Sequence, residues 1–81
     1  MDLVIELFGI TREIIGTPRL EYKSDTQLNV AELLDKLKEE YPSLQKLRSL
    51  MVAVNTDYAT PEQILNSNDK IALIPPVSGG W

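Results

Sequence analysis

Apolar residues alternate with polar ones from the first positions of the chain. In Asp2-Leu3-Val4-Ile5-Glu6-Leu7-Phe8, Leu3, Ile5 and Leu7 share one side, and Val4 and Phe8 share the other with Asp2 and Glu6. This period of two predicts a β-strand that Gly9 ends. Thr11 to Ile15 can close a single helical turn before Gly16 and Pro18 stop it. Arg19-Leu20-Glu21-Tyr22-Lys23 alternates polar and apolar again, as a half-buried antiparallel strand does. The two strands are expected to pair through that short helical connection.

The pattern then changes to a helical one. Val30, Leu33, Leu34, Leu37 and Tyr41 fall at i, i+3, i+4, i+7 and i+11, which is one apolar stripe. Asn29 and Glu32 have the spacing of a capping box, and Leu28 and Leu33 that of a hydrophobic staple. Pro42 sets the end, because the residue before a proline is pushed out of the helical region. Asp35, Lys36, Lys38, Glu39 and Glu40 make the solvated face of this helix, predicted over residues 29–41.

A linker with Leu44, Leu47 and Leu50 leads to a strand at Met51-Val52-Ala53-Val54. Asn55-Thr56-Asp57 is expected to turn and Tyr58-Ala59 to return as a short strand. Pro61 to Leu65 is expected to be a brief turn or helical connector, and Asn66-Ser67-Asn68-Asp69 has turn chemistry. Lys70-Ile71-Ala72-Leu73-Ile74 then runs apolar on both faces. Such strands belong in the middle of a sheet, which places the first and last strands there. Parallel central neighbours need a crossover, and the 29–41 helix is the element long enough to supply it. The expected fold is α+β: a mixed sheet of four or five strands with one main helix packed on one face.

Length and composition narrow the function. With 81 residues the chain holds one domain, expected over residues 1–74, with an extended tail over 75–81. It has no cysteine and no histidine, which excludes thiolate chemistry and removes the usual general base and metal ligand. The net charge is −4, from 8 Lys and Arg against 12 Asp and Glu, without the basic run that nucleic-acid binding requires. Apolar runs are far shorter than the roughly 20 residues that span a bilayer. Asp2 and Glu6 stand where a signal peptide carries positive charge, so a cytoplasmic location is expected.

The tail carries the most information. In Pro75-Pro76-Val77-Ser78-Gly79-Gly80-Trp81, two prolines deny the sheet two N–H donors and two glycines remove side chains altogether. Extended, the six residues from Pro75 to Gly80 reach about 20 Å. A stiff base with a thin tip suits threading into a narrow site of another protein, because glycine backbone approaches where a Cβ would clash.

Three segments together resemble a known family. They are Leu7-Phe8-Gly9-Ile10-Thr11-Arg12-Glu13-Ile14-Ile15-Gly16, then Val52-Ala53-Val54-Asn55 followed by Tyr58, and above all the closing run from Asn68 to Gly80. The chain resembles the ubiquitin-like β-grasp sulfur carriers, and within them the small-subunit family of the molybdopterin synthases. Carriers of the thiamine pathway, typically shorter and without a Pro-Pro-Val-Ser segment, are less similar.

The resemblance implies that the Gly80 carboxylate is adenylated by an ATP-dependent, ubiquitin-activating-like adenylyltransferase. Sulfur then displaces AMP and leaves a thiocarboxylate. The large synthase subunit, which holds the catalytic residues, takes up the tail from Pro75 through Pro76, Val77, Ser78 and Gly79 to Gly80. The sulfur then passes to a pterin precursor, in a heterotetramer with two large subunits. The carrier itself binds no cofactor, and ATP is used by the activating enzyme. Phe8, Arg12, Tyr58 and Val77 are the candidate partner surface around the base of the tail. Core packing is the competing role for Phe8 and Tyr58, and simple solvation for Arg12.

Trp81 departs from the pattern, because the family ends at Gly-Gly and here the Gly80 carboxyl is held in a peptide bond. Either Trp81 is removed first, or the carrier works differently or not at all. The alternatives are therefore a β-grasp interaction module without carrier chemistry, or a sulfur carrier for another pathway. Ile71, Leu73 and Ile74 are expected in the core, and Lys46 and Arg48 form a small basic spot. Glu39 and Glu40 are solvated, Asp57 and Asp69 belong to turns, and no metal site is assigned.

Overall fold

Strand β1 (Asp2–Leu7) buries Leu3, Ile5 and Leu7 and exposes Asp2, Val4 and Glu6, the alternation its sequence predicts. The computed structural model describes residues 1–47 and 49–75. A short helix, α1 (Ile10–Ile15), turns the chain at Gly16 in the left-handed conformation and leads into β2 (Arg19–Lys23). The main helix α2 (Val30–Glu40) follows, then a 3-10 helix over Pro42–Lys46 that buries Leu44. Strands β3 (Met51–Val54), β4 (Asp57–Tyr58) and β5 (Lys70–Ile74) follow.

The five strands form one sheet in the order β2-β1-β5-β3-β4. β1 and β5 lie side by side and parallel, in the register Ile5↔Ile71 and Leu7↔Leu73. The remaining pairs are antiparallel. The first and last strands therefore sit in the interior of the sheet, as expected. A single core gathers Leu3, Ile5, Leu7, Val52, Val54, Ile71 and Leu73 from the sheet with Val30, Leu33 and Leu37 from α2. Leu28, Leu44 and Leu65 from the connections close it. A mixed sheet in this order, with one helix across one face, is the ubiquitin-like β-grasp arrangement.

The start of α2 shows why it forms where it does. The first backbone N–H groups of a helix lack intrahelical partners and must be satisfied from outside. Asn29 N donates to Glu32 Oε1 at 2.9 Å and Glu32 N to Asn29 Oδ1 at 2.8 Å, the reciprocal capping box read from the sequence. Val30 N donates to Gln63 O and Ala31 N to Pro61 O, both at 3.0 Å. All the orphan donors are thereby met, the inner two by a segment some thirty residues away in the chain. The same contacts explain why residues 61–65 are turn and bridge rather than helix. Their carbonyls point at α2, Leu65 N bonds Leu28 O, and Ile64 pairs with Asn29 in an isolated antiparallel bridge.

The turn expected as one alternative for residues 61–65 is present, and two expectations are revised. The β3–β4 turn is two residues long, Asn55 and Thr56 at φ 53° and 76°, so Asp57 opens β4 and Ala59 falls outside it. Leu34 is half-buried, so the apolar stripe of α2 is unequal, with Val30, Leu33 and Leu37 carrying the full burial. Among the described residues no helix is long and apolar enough to cross a membrane.

Candidate functional site

The helix covers one face of the sheet, and among the described residues the other face is left bare. On the bare face the register aligns Glu6 with Ala72, Ala72 with Ala53, and Ala53 with Tyr58, one row across four strands. The next row pairs Ile74 with Met51. Two alanines at the middle of the row leave a floor lower than its surroundings. The result is a groove of about 310 Å³ lined by Glu6, Phe8, Ala53, Thr56, Lys70, Ala72 and Ile74. Beside it Met51 is 47% exposed and Tyr58 64% exposed. Exposed large apolar residues gathered on one face mark an interaction surface more than scattered ones do.

Phe8 stands at the end of this groove where β5 runs out. It is 43% exposed, which places it on the surface and not in the core. Its backbone is held by the fully buried Thr11, whose Oγ1 donates to Phe8 O at 2.6 Å and accepts from Phe8 N at 3.1 Å. Gly9 follows at φ 57° and ψ −134°, a conformation that a side chain would strain. The Leu7↔Leu73 pair is the last of the parallel ladder, and two residues further on Gly9 meets Pro75. A Cβ at position 9 would lie 3.2 Å from Pro75 Cγ, so the absence of a side chain there gives the proline its seat. Pro75, the last described residue, thus sits against Gly9 just past the end of β5, at the Phe8 end of the groove.

Arg12 lies on the far side of Phe8. Its Nε and Nη2 donate to Leu7 O at 3.4 and 3.3 Å, and with Glu6, Pro18 and Arg19 it lines a second cleft beside Phe8. Arg12 thus braces the carbonyl where β1 ends, a role additional to facing solvent or a partner. Ile74, expected in the core, is half-buried and lines the groove, because its position in β5 alternates with Ile71 and Leu73. Of the predicted site residues, Pro76, Val77, Ser78, Gly79 and Gly80 lie outside the described residues, as do Trp81 and Arg48.

The described residues supply shape and not reactive groups. Glu6 pairs with Arg19 at 3.4 Å. Asp69 accepts from Asn55 Nδ2 at 2.9 Å and from Asn66 N at 2.8 Å, local turn bonding of the kind its sequence context predicts. Among the described residues no cluster of acidic side chains is arranged to hold a metal ion. Met51, Ala53, Thr56 and Ala72 were not legible as site residues. Small side chains and a single methionine carry no signal until the register lines them up.

Comparison with known proteins places this geometry in context. The model of the ThiS family matches residues 5–80. The molybdopterin synthase sulfur carrier subunit of Arabidopsis thaliana is 37% identical over 81 residues, covering 99% of this chain and 84% of that protein. Among solved structures, SAMP1 from Haloferax volcanii superposes with a TM-score of 0.80 at 26% identity, covering 99% of this chain and 100% of that one. A protein–protein complex of subunits 1 and 2 of the molybdopterin-converting factor from Helicobacter pylori holds a chain similar at a TM-score of 0.66 and 26% identity, covering 99% and 100%. With the family model matched from the middle of β1 to the second glycine of the tail, the chain belongs to the ThiS family.

Proposed function

We propose that this chain is the sulfur-carrier subunit of a molybdopterin synthase, with the Gly80 carboxyl as the group that carries sulfur. The observation that carries the proposal is where the family match stops: at Gly80, with Trp81 left outside it. Similarity to a named sulfur carrier subunit over 99% of the chain supports the pathway.

Three steps follow from the chemistry of a carboxyl terminus. First, hydrolysis of the Gly80–Trp81 bond releases tryptophan and leaves a free carboxylate. Second, a ubiquitin-activating-like adenylyltransferase joins that carboxylate to the α-phosphate of ATP with loss of pyrophosphate. A carboxylate is a poor electrophile until such a leaving group is attached. Third, a sulfide-class nucleophile attacks the Gly80 carbonyl carbon and expels AMP. The thiocarboxylate formed is a softer nucleophile than the carboxylate it replaces. The large synthase subunit receives the tail and supplies the catalytic residues that move sulfur to the pterin precursor. Water then returns Gly80 to a carboxylate. A dithiolene holds two sulfurs, so two loaded carriers serve each product.

The bare face of the sheet fits docking to that subunit. Phe8, Met51, Tyr58 and Ile74 surround the groove at whose end Pro75 sits, so one partner can hold the face and receive the residues that follow Pro75. Arg12 and Val77 complete the proposed surface. The carrier holds no resident cofactor in this scheme and works in the cytoplasm. Reconstitution tests it: a chain ending at Gly80, with activating enzyme, ATP, a sulfur donor and the large subunit, is expected to convert precursor to dithiolene. Failure with active partner proteins would overturn the proposal.

A further inference from the structure

We infer that Thr56 is a specificity-determining residue for the large subunit, kept in an unfavourable backbone conformation because its side chain meets that partner. The inference rests on the docking surface proposed above.

The turn between β3 and β4 is closed by the Val54↔Asp57 pair and has positive φ at both central residues. Two-residue hairpin loops of this kind favour asparagine and then glycine. Asn55 fits its place: its N bonds Lys70 O at 2.8 Å, its Oδ1 accepts from Lys70 N at 3.0 Å, and its Nδ2 reaches Asp69 Oδ1 at 2.9 Å. Thr56 does not fit. At φ 76° a β-branched residue is strained, and glycine or asparagine would make the same turn with less strain.

Nothing inside the described residues offsets this. The Thr56 hydroxyl has no hydrogen-bond partner among them, and the residue is exposed, so it contributes little to the core. What Thr56 does is line the groove, at the end where Lys70 stands, opposite the Phe8 end. Strained residues persist where the strain serves a site. A threonine offers a methyl to the alanine-floored groove and a hydroxyl at its polar end, which neither glycine nor asparagine reproduces. The partner surface that fits is an apolar side chain seated over Ala53 and Ala72, beside a backbone or side-chain group that hydrogen-bonds the hydroxyl.

The test compares Thr56→Asn, Thr56→Gly and Tyr58→Ala with the parent, by thermal unfolding and by calorimetric titration with the large subunit of the same organism. Thr56→Asn relieves the strain without the added freedom of glycine, and is expected to raise the melting midpoint by about 4–8 °C. Thr56→Gly removes the side chain and is expected to weaken binding about tenfold, as loss of one interface contact does. Tyr58→Ala is expected to weaken binding as well. Parent-like binding by Thr56→Gly beside weakened binding by Tyr58→Ala would overturn the role of Thr56 alone. Parent-like binding by both would overturn the docking face and this inference with it. A midpoint not raised by Thr56→Asn would show that the turn is unstrained and would also overturn the inference.

Discussion

A chain ended at Gly79 is expected to bind the large synthase subunit as the full carrier does and to deliver no sulfur. In the docking proposed here, binding draws on Phe8, Met51, Tyr58 and Ile74 on the sheet face that α2 leaves uncovered, none of which the truncation touches. Delivery depends on where the terminal carbonyl comes to rest. Removing one extended residue draws that carbonyl back by about 3.3–3.6 Å. A misplacement of about 1 Å at a reacting centre already costs on the order of a hundredfold in rate. The new terminus is still a glycine, so the tip stays thin and the change is one of reach alone. Single-turnover transfer to the precursor should therefore fall to background while calorimetric affinity is retained. Sulfur transfer at an undiminished rate would show that reach is not what the tail supplies. Loss of binding together with transfer would place the main contact in the last residue.

The largest effect on stability is expected at Leu37. Its side chain is fully buried, and it joins α2 to the core built from β1, β3 and β5. Leu37→Ala removes the packed atoms and leaves a cavity that a close-packed interior fills only in part, at a cost of about 2–5 kcal/mol. A small domain has a total stability of about 5–15 kcal/mol, so one such change removes a large share of it. Leu34→Ala, in the same helical stripe, is expected to cost less, since Leu34 keeps part of its surface in water. Urea unfolding of the two variants checks the order: the midpoint should fall further for Leu37→Ala, with the slope unchanged in both. A larger loss at Leu34 would mean that α2 is rotated on the sheet relative to the structure described.

The elements that local chemistry specifies were legible in the sequence. The alternation in β1 and the capping box at Asn29 and Glu32 are short-range signals, and both appear in the fold. The parallel pairing of β1 with β5 followed from their two apolar faces together with the need for a crossover. What stayed hidden depends on distant partners. The carbonyls of Pro61 and Gln63 serve the N-terminus of α2, and no periodicity within residues 61–65 announces that use. The groove is similar, because Ala53 and Ala72 become a floor only when β3 and β5 pair in register. Ile74 reads as core by composition and lines the groove by alternation. Phe8 and Tyr58 are legible as candidate partner residues by the resemblance, and the structure leaves both exposed on the side that α2 does not cover.

Intact mass spectrometry reads sulfur carriage by the Gly80 carboxyl. Two forms are incubated with the activating enzyme, ATP and a sulfur donor: the chain through Trp81 and the chain ending at Gly80. The predicted result is a mass gain equal to the exchange of one oxygen for one sulfur on the form ending at Gly80, with the form bearing Trp81 unchanged. The same gain on the form bearing Trp81, or none on the form ending at Gly80, would contradict it.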